Sequence, residues 1–187
     1  MEAVAKLESL AYEQLKKMNL PRLPKGLRVW IGDNVWWLAA FFSVLFGISA
    51  LPLIFGFITT FGALVAPVNS LWYVGSFTGW VVVTNITVIT FTVLNAALLG
   101  AAVNPLKESQ KQGWTLLFVL WLVNLLSLAL NVLVSVLTLN IFNLMGVLIF
   151  GTAFLVISAY FLFEIRGEFA HVEKSAGIKH RKTAKKS

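Results

Sequence analysis

The sequence predicts an all-α, polytopic membrane protein: four transmembrane helices, an N-terminal amphipathic helix and a basic C-terminal tail. Three observations carry that reading. Of 187 residues, 58% are hydrophobic and 12% charged, about half the charged share of a soluble domain. No charged side chain occurs from Asn34 to Leu106, or from Gln112 to Phe163, and each block far exceeds the ~20 apolar residues that cross a bilayer. All 15 Lys and Arg lie outside those blocks: six before the first, two in the break (Lys107, Lys111) and seven after the second.

Residues 2–19 read as an amphipathic helix. Val4, Leu7, Ala11, Leu15 and Met18 recur at helical spacing, while Glu2–Lys6 and Glu13–Lys17 are i,i+4 pairs. Such a helix either packs on its own protein or a partner, or lies in the membrane surface. Its polar face mixes Glu with Lys, a weaker match to anionic lipid than an all-basic face. Pro21 and Pro24 end it and open a linker, so residues 1–34 form one cytosolic or interfacial segment.

Asp33 or Asn34 is the expected N-cap of the first span, with Trp30, Trp36 and Trp37 as an aromatic belt at that edge. Span one is placed at about 35–57. The apolar run continues to about Val65, so Pro52 predicts a kink, or a short re-entrant or external piece between Gly56 and Pro67. Span two covers about 77–101 and ends at Asn104-Pro105. Span three follows a polar loop at about 113–135, and span four lies at about 142–163. The short, uncharged connection near Thr138 to Asn143 makes spans three and four a tight antiparallel hairpin. Residues 35–163 thus form the transmembrane domain and 164–187 the basic tail, whose composition favours disorder.

Four spans bring the amino end, the Lys107–Lys111 loop and the tail to one side, which is where every Lys and Arg lies. The positive-inside rule then places both termini in the cytoplasm and the chain in the cytoplasmic membrane. The first 28 residues carry mixed charges and no apolar core of a signal peptide, so the first span is expected to direct insertion itself.

Chemistry-bearing groups are few. Zero cysteines exclude disulfides, cysteine metal sites and thiol catalysis. Both histidines, His171 and His180, follow the last span, and Asp33 and Glu164 are the carboxylates at membrane boundaries. No catalytic triad, metal-ligand cluster or phosphate-cradling glycine loop is visible, so neither enzyme activity nor a cofactor is expected. Proton-coupled transport usually needs an ionisable group inside the bilayer, and the spans hold none.

Amides and hydroxyls do occur inside the spans. Asn124, Ser127, Asn131 and Ser135, continued by Thr138, form one helical stripe on span three, and Asn85, Thr92 and Asn95 share a face of span two. An amide facing hydrocarbon has no partner, so both faces should turn inward, as interhelical glue or as the lining of a polar path. Gly75/Gly79, Ser43/Gly47 and Ala96/Gly100 have small-xxx-small spacing, which serves internal packing or self-association. In the tail, Lys179, Arg181, Lys182, Lys185 and Lys186 are the expected contacts to anionic lipid headgroups. Nucleic acid is disfavoured, because no aromatic residue is interleaved for base stacking.

Lys111-Gln112-Gly113-Trp114-Thr115-Leu116-Leu117-Phe118 opens span three, and Tyr160-Phe161-Leu162-Phe163-Glu164-Ile165-Arg166 closes span four. Over roughly Lys107 to Phe169 the chain resembles a loose group of uncharacterised small bacterial multi-span membrane proteins with a KxGWxLLF-like start and an LFxIR-like end. That resemblance implies a bacterial origin and four spans, and no activity.

The expected function is therefore a non-enzymatic structural or adaptor protein, binding anionic lipid, or a membrane or cytosolic protein partner, through its cytosolic ends. A small channel or transporter subunit with an Asn/Ser-lined path is the alternative. A lipid enzyme, using Glu164, Glu168 and His171 at the boundary, is third.

Overall fold

The computed structural model describes residues 2–17, 21–65 and 77–183. Its elements are α1 (Glu2–Lys17), α2 (Lys25–Val65), α3 (Phe77–Lys107), α4 (Lys111–Leu137), α5 (Ile141–Gly146), a π-helical turn (Val147–Gly151) and α6 (Thr152–Thr183). No strand occurs among the described residues. Four helical stretches, Lys25–Thr59, Val82–Lys107, Lys111–Leu137 and Ile141–Phe169, are long and apolar enough to cross a membrane, which makes the chain a multi-pass membrane protein.

The first span departs from expectation at both ends. Asp33 and Asn34 do not cap it: α2 begins eight residues before Asp33, where Pro24 O accepts from the N–H groups of Leu27 (3.0 Å) and Arg28 (3.1 Å). Asn34 instead donates from Nδ2 to Trp30 O one turn back, at 2.7 Å. A boundary at residue 34 therefore falls inside a helix. No re-entrant piece begins at Gly56, because α2 runs unbroken through Pro52 to Val65. In hydrocarbon the helix is the conformation that satisfies its own backbone, so the chain keeps it and forgoes the one bond that proline cannot donate. The remainder of the proposed piece, 66–76, lies outside the described residues.

Span two likewise passes Asn104-Pro105 and ends at Lys107. The tail is the larger correction: α6 continues from the fourth span to Thr183, where composition alone favours disorder. Extending an existing helix adds one bond for each residue fixed and avoids the costly nucleus.

Two tight turns reverse the chain. After α3, Ser109 takes φ 51°, its N–H reaches Leu106 O (3.0 Å), and Gln110 N–H reaches Pro105 O (2.8 Å). After α4, Leu139 takes φ 52° and Asn140 N–H reaches Ser135 O at 2.9 Å. Both are Schellman-type helix ends, with a side chain where glycine is usual. Asn140 then caps α5 by accepting from Asn143 N–H at 3.0 Å. Leu139 is 84% exposed, so its side chain contributes little packing to offset the left-handed backbone. Leu139→Gly is expected to stabilise the protein by about 0.5–1 kcal/mol, read as a higher unfolding midpoint in detergent.

α2 packs most extensively on α3, α3 on α4, and α6 closes the bundle against α4 and α2. Ser43 Oγ donates to Ala96 O across α2 and α3 at 2.8 Å, and a Cβ added at Gly100 would lie 3.0 Å from Ser43 Oγ. Thus Ser43, Ala96 and Gly100 of the small-residue motifs serve internal close approach. A Cβ at Gly47 would meet nothing within 4 Å; Gly75 lies outside the described residues, as does the surrounding of Gly79.

Burial is concentrated at the basic end. Ala102, Leu106, Trp114, Phe118, Ile165 and Phe169 are all at most 2% exposed. Trp114 stacks on Phe118 with ring centroids 5.6 Å apart, Phe163 meets both edge-on, and Trp114 Nε1 donates to Leu162 O at 2.8 Å. Much of the outer surface is apolar: Phe42, Ile48, Phe55, Phe142 and Phe154 are exposed, as suits side chains facing lipid.

Candidate functional site

The intramembrane polar residues separate into two groups. In the first, Asn124 on α4 donates from Nδ2 to Asn95 Oδ1 on α3 at 2.8 Å and to Leu120 O at 2.9 Å. Asn95 is 6% exposed and donates in turn to Phe91 O at 2.8 Å. This is the interhelical amide pair that the facing stripes predict, and it ties α3 to α4 at mid-span. Thr92 bonds back to Val88 O on its own helix (2.7 Å), and Asn85 is half-buried on α3.

The second group belongs to the hairpin. Asn131 Nδ2 donates to Ser127 O at 2.8 Å, Ser135 Oγ donates to Asn131 O at 2.7 Å, and Asn143 Nδ2 donates to Ser135 Oγ at 2.6 Å. Asn143, absent from the sequence-derived set, thereby completes the stripe from the facing helix. Its signal was its position just beyond the turn. Asn124, Ser127, Asn131 and Asn143 also line a groove of about 500 Å³ between α4 and the α5–π-turn–α6 rod. Gly151, which ends the π turn, sits hard against Leu128 of α4.

A second cavity, of about 400 Å³, lies at the basic end between α1, the 21–24 linker, α2, α4 and α6. Arg22, Arg28, Lys111 and Arg166 line it together with Glu8 and Glu164, and Trp114, Phe163 and Tyr12 supply aromatic wall. α1 is fastened here. Arg166 donates to Glu8 Oε1 from Nε at 2.8 Å and from Nη2 at 2.5 Å, and its guanidinium lies 4.8 Å from the Tyr12 ring centre and 5.7 Å from that of Trp114. The linker is fastened as well: Leu23 N–H donates to Glu164 Oε2 (3.2 Å) and Tyr160 OH to Pro21 O (2.5 Å). These bonds join α1 and the linker to the end of the fourth span.

The charges in the cavity are unevenly matched. Arg166 and Glu8 form a close pair, but Arg28 Nε stands 3.9 Å from Glu164 Oε2, too far for a hydrogen bond. That Nε is buried with no acceptor among the described residues. Among the described residues Arg22 and Lys111 form no ion pair.

The tail residues picked from sequence fare differently. Lys179, Arg181 and Lys182 fall on the backbone of α6, with their side chains outside the described part, and Lys185 and Lys186 lie outside the described residues altogether. Sequence reasoning missed the grouping of Arg22, Arg28, Lys111 and Arg166. Its one available signal was that all four lie just outside the two charge-free blocks, on the same side. Of the trio for lipid chemistry, Glu164 is occupied by Leu23 and Arg28, Glu168 packs beside Gly32, and the His171 side chain is outside the described part. Compared with known proteins, the chain matches no family model, no curated protein and no solved structure.

Proposed function

We propose that this chain is a non-enzymatic structural or adaptor protein of the cytoplasmic membrane, with both termini in the cytoplasm and its basic face toward anionic lipid or a partner. The Asn124–Asn95 bond carries the reading. A polar path between α3 and α4 needs free amides, and the amide nearest mid-span is spent joining the helices. Charge supports the rest: every Lys and Arg lies on the side that the positive-inside rule assigns to the cytoplasm. Cations there gain about 1 kcal/mol each near an anionic leaflet.

The 500 Å³ groove lined by Asn131 and Asn143 favours a second reading, a small channel or transporter subunit. Leak of ions and small neutral solutes from liposomes separates the two. Protein-loaded liposomes are expected to leak no faster than empty ones, for wild type and for Asn124→Leu/Asn131→Leu alike. Leak that the double substitution abolishes overturns the structural reading and makes the stripe a lining.

A further inference from the structure

We propose that the basic-end cavity binds a phosphate group, presented by an anionic lipid headgroup or by a soluble phosphate ester. The inference rests on the reading of this face as the one that meets anions, and it moves the contact from the tail to a built pocket. Four cationic side chains against two carboxylates leave the cavity with a net charge of +2. A phosphate monoester carries about −1.5 to −2 at neutral pH, so one such group neutralises the site.

The donors are arranged for an acceptor that the described residues do not provide. The Arg28 Nε–H is out of water and has no hydrogen bond among the described residues, and a buried unsatisfied donor is costly enough to need a reason. Glu164, the nearest carboxylate, is drawn to Leu23 N–H and stays 3.9 Å away. Arg22 and Lys111 add two cations to the wall that form no ion pair among the described residues. Lys111 also opens α4, whose N-cap Gln110 makes no side-chain capping bond, its side chain donating to Glu108 instead, so the positive helix end lies beside this wall. A volume of about 400 Å³ is within the range of small-ligand sites. A carboxylate would leave net positive charge in the cavity; a phosphate matches both charge and donor number.

The test uses the full chain in zwitterionic nanodiscs at fixed ionic strength, titrated with inorganic phosphate and, separately, with short-chain phosphatidic acid. Saturable binding is expected. Arg22→Gln/Lys111→Gln, at two exposed positions with no ion pair among the described residues, should weaken it at least about tenfold. Changing Lys179, Arg181, Lys182, Lys185 and Lys186 to Gln should leave it unaltered. Binding of the lipid probe alone supports the site and assigns a headgroup; binding of inorganic phosphate supports it and assigns a soluble ester. Absence of saturable binding by either probe, equal binding by the Arg22/Lys111 variant, or loss in the tail variant overturns it. Liposome leak is read independently, so failure of this site and failure of the structural reading are told apart.

Discussion

Gly113→Ala is expected to destabilise the protein by about 3 kcal/mol, at the upper end of overpacking costs. Gly113 is buried in the first turn of α4. A Cβ there would stand 2.7 Å from Leu106 N, 2.9 Å from Pro105 C and 3.0 Å from Leu106 Cα. All three are backbone atoms of the last turn of α3, held by the bonds from Ser109 to Leu106 and from Gln110 to Pro105. A flexible side chain would swing aside; this turn would have to unwind. Gly47→Ala is the matched control, because its Cβ meets nothing within 4 Å. Relief of glycine's conformational entropy should there stabilise by up to about 1 kcal/mol. Unfolding of both variants in mixed micelles gives the comparison, and equal midpoints would show that the α3–α4 turn does not confine Gly113.

Arg166→Gln is expected to release α1 while the four spans stay folded. α1 is held at its polar face by one guanidinium, which bonds Glu8 twice and lies over Tyr12. Glu8 is only 7% exposed, so the substitution strands a carboxylate as well as removing its donors. Hydrogen bonds to charged groups are worth about 1.5–3 kcal/mol, and a 16-residue helix is marginal on its own in water. Amide exchange across Glu2–Lys17 should therefore speed up by more than about tenfold, with α4 unchanged. Glu8→Gln keeps an acceptor and should have the smaller effect. Unaltered exchange in Arg166→Gln would mean that Val4 and Ala11, which pack against the core, hold α1 by themselves.

The parts of this architecture that the chain announces are those governed by solvent. Two charge-free blocks, the polar Lys107–Gln112 break and the short link near Thr138 are enough to locate four spans, because a charge inside hydrocarbon is expensive wherever it occurs. The Asn95–Asn124 bond was legible for the same reason: two amide stripes on adjacent spans have few alternatives to each other. Helix ends were less legible. Asn34 looks like a cap, but a side chain that can bond a free N–H can equally bond the carbonyl one turn back, and only the path of the preceding chain decides. Pro52 reads as a break in water and is tolerated in lipid. The basic-end cavity was hidden for a different reason. Glu8 and Arg166 are 158 positions apart, and nothing local to either marks the other. Arg22, Arg28 and Lys111 each read as an ordinary flanking charge until the bundle brings them to one wall.

The π-helical turn has a consequence for how the fourth span presents itself. One additional residue in the turn offsets everything beyond it by about 100° of azimuth. On the rim side, Phe163 and Arg166 keep the bearing that meets Trp114; on the far side, Asn143 keeps the bearing that meets Ser135. A uniform screw would align one pair and misdirect the other. The span thus behaves as two short helices on a common axis, each with its own angular origin, and the far groove and the basic rim are aimed independently along one continuous rod.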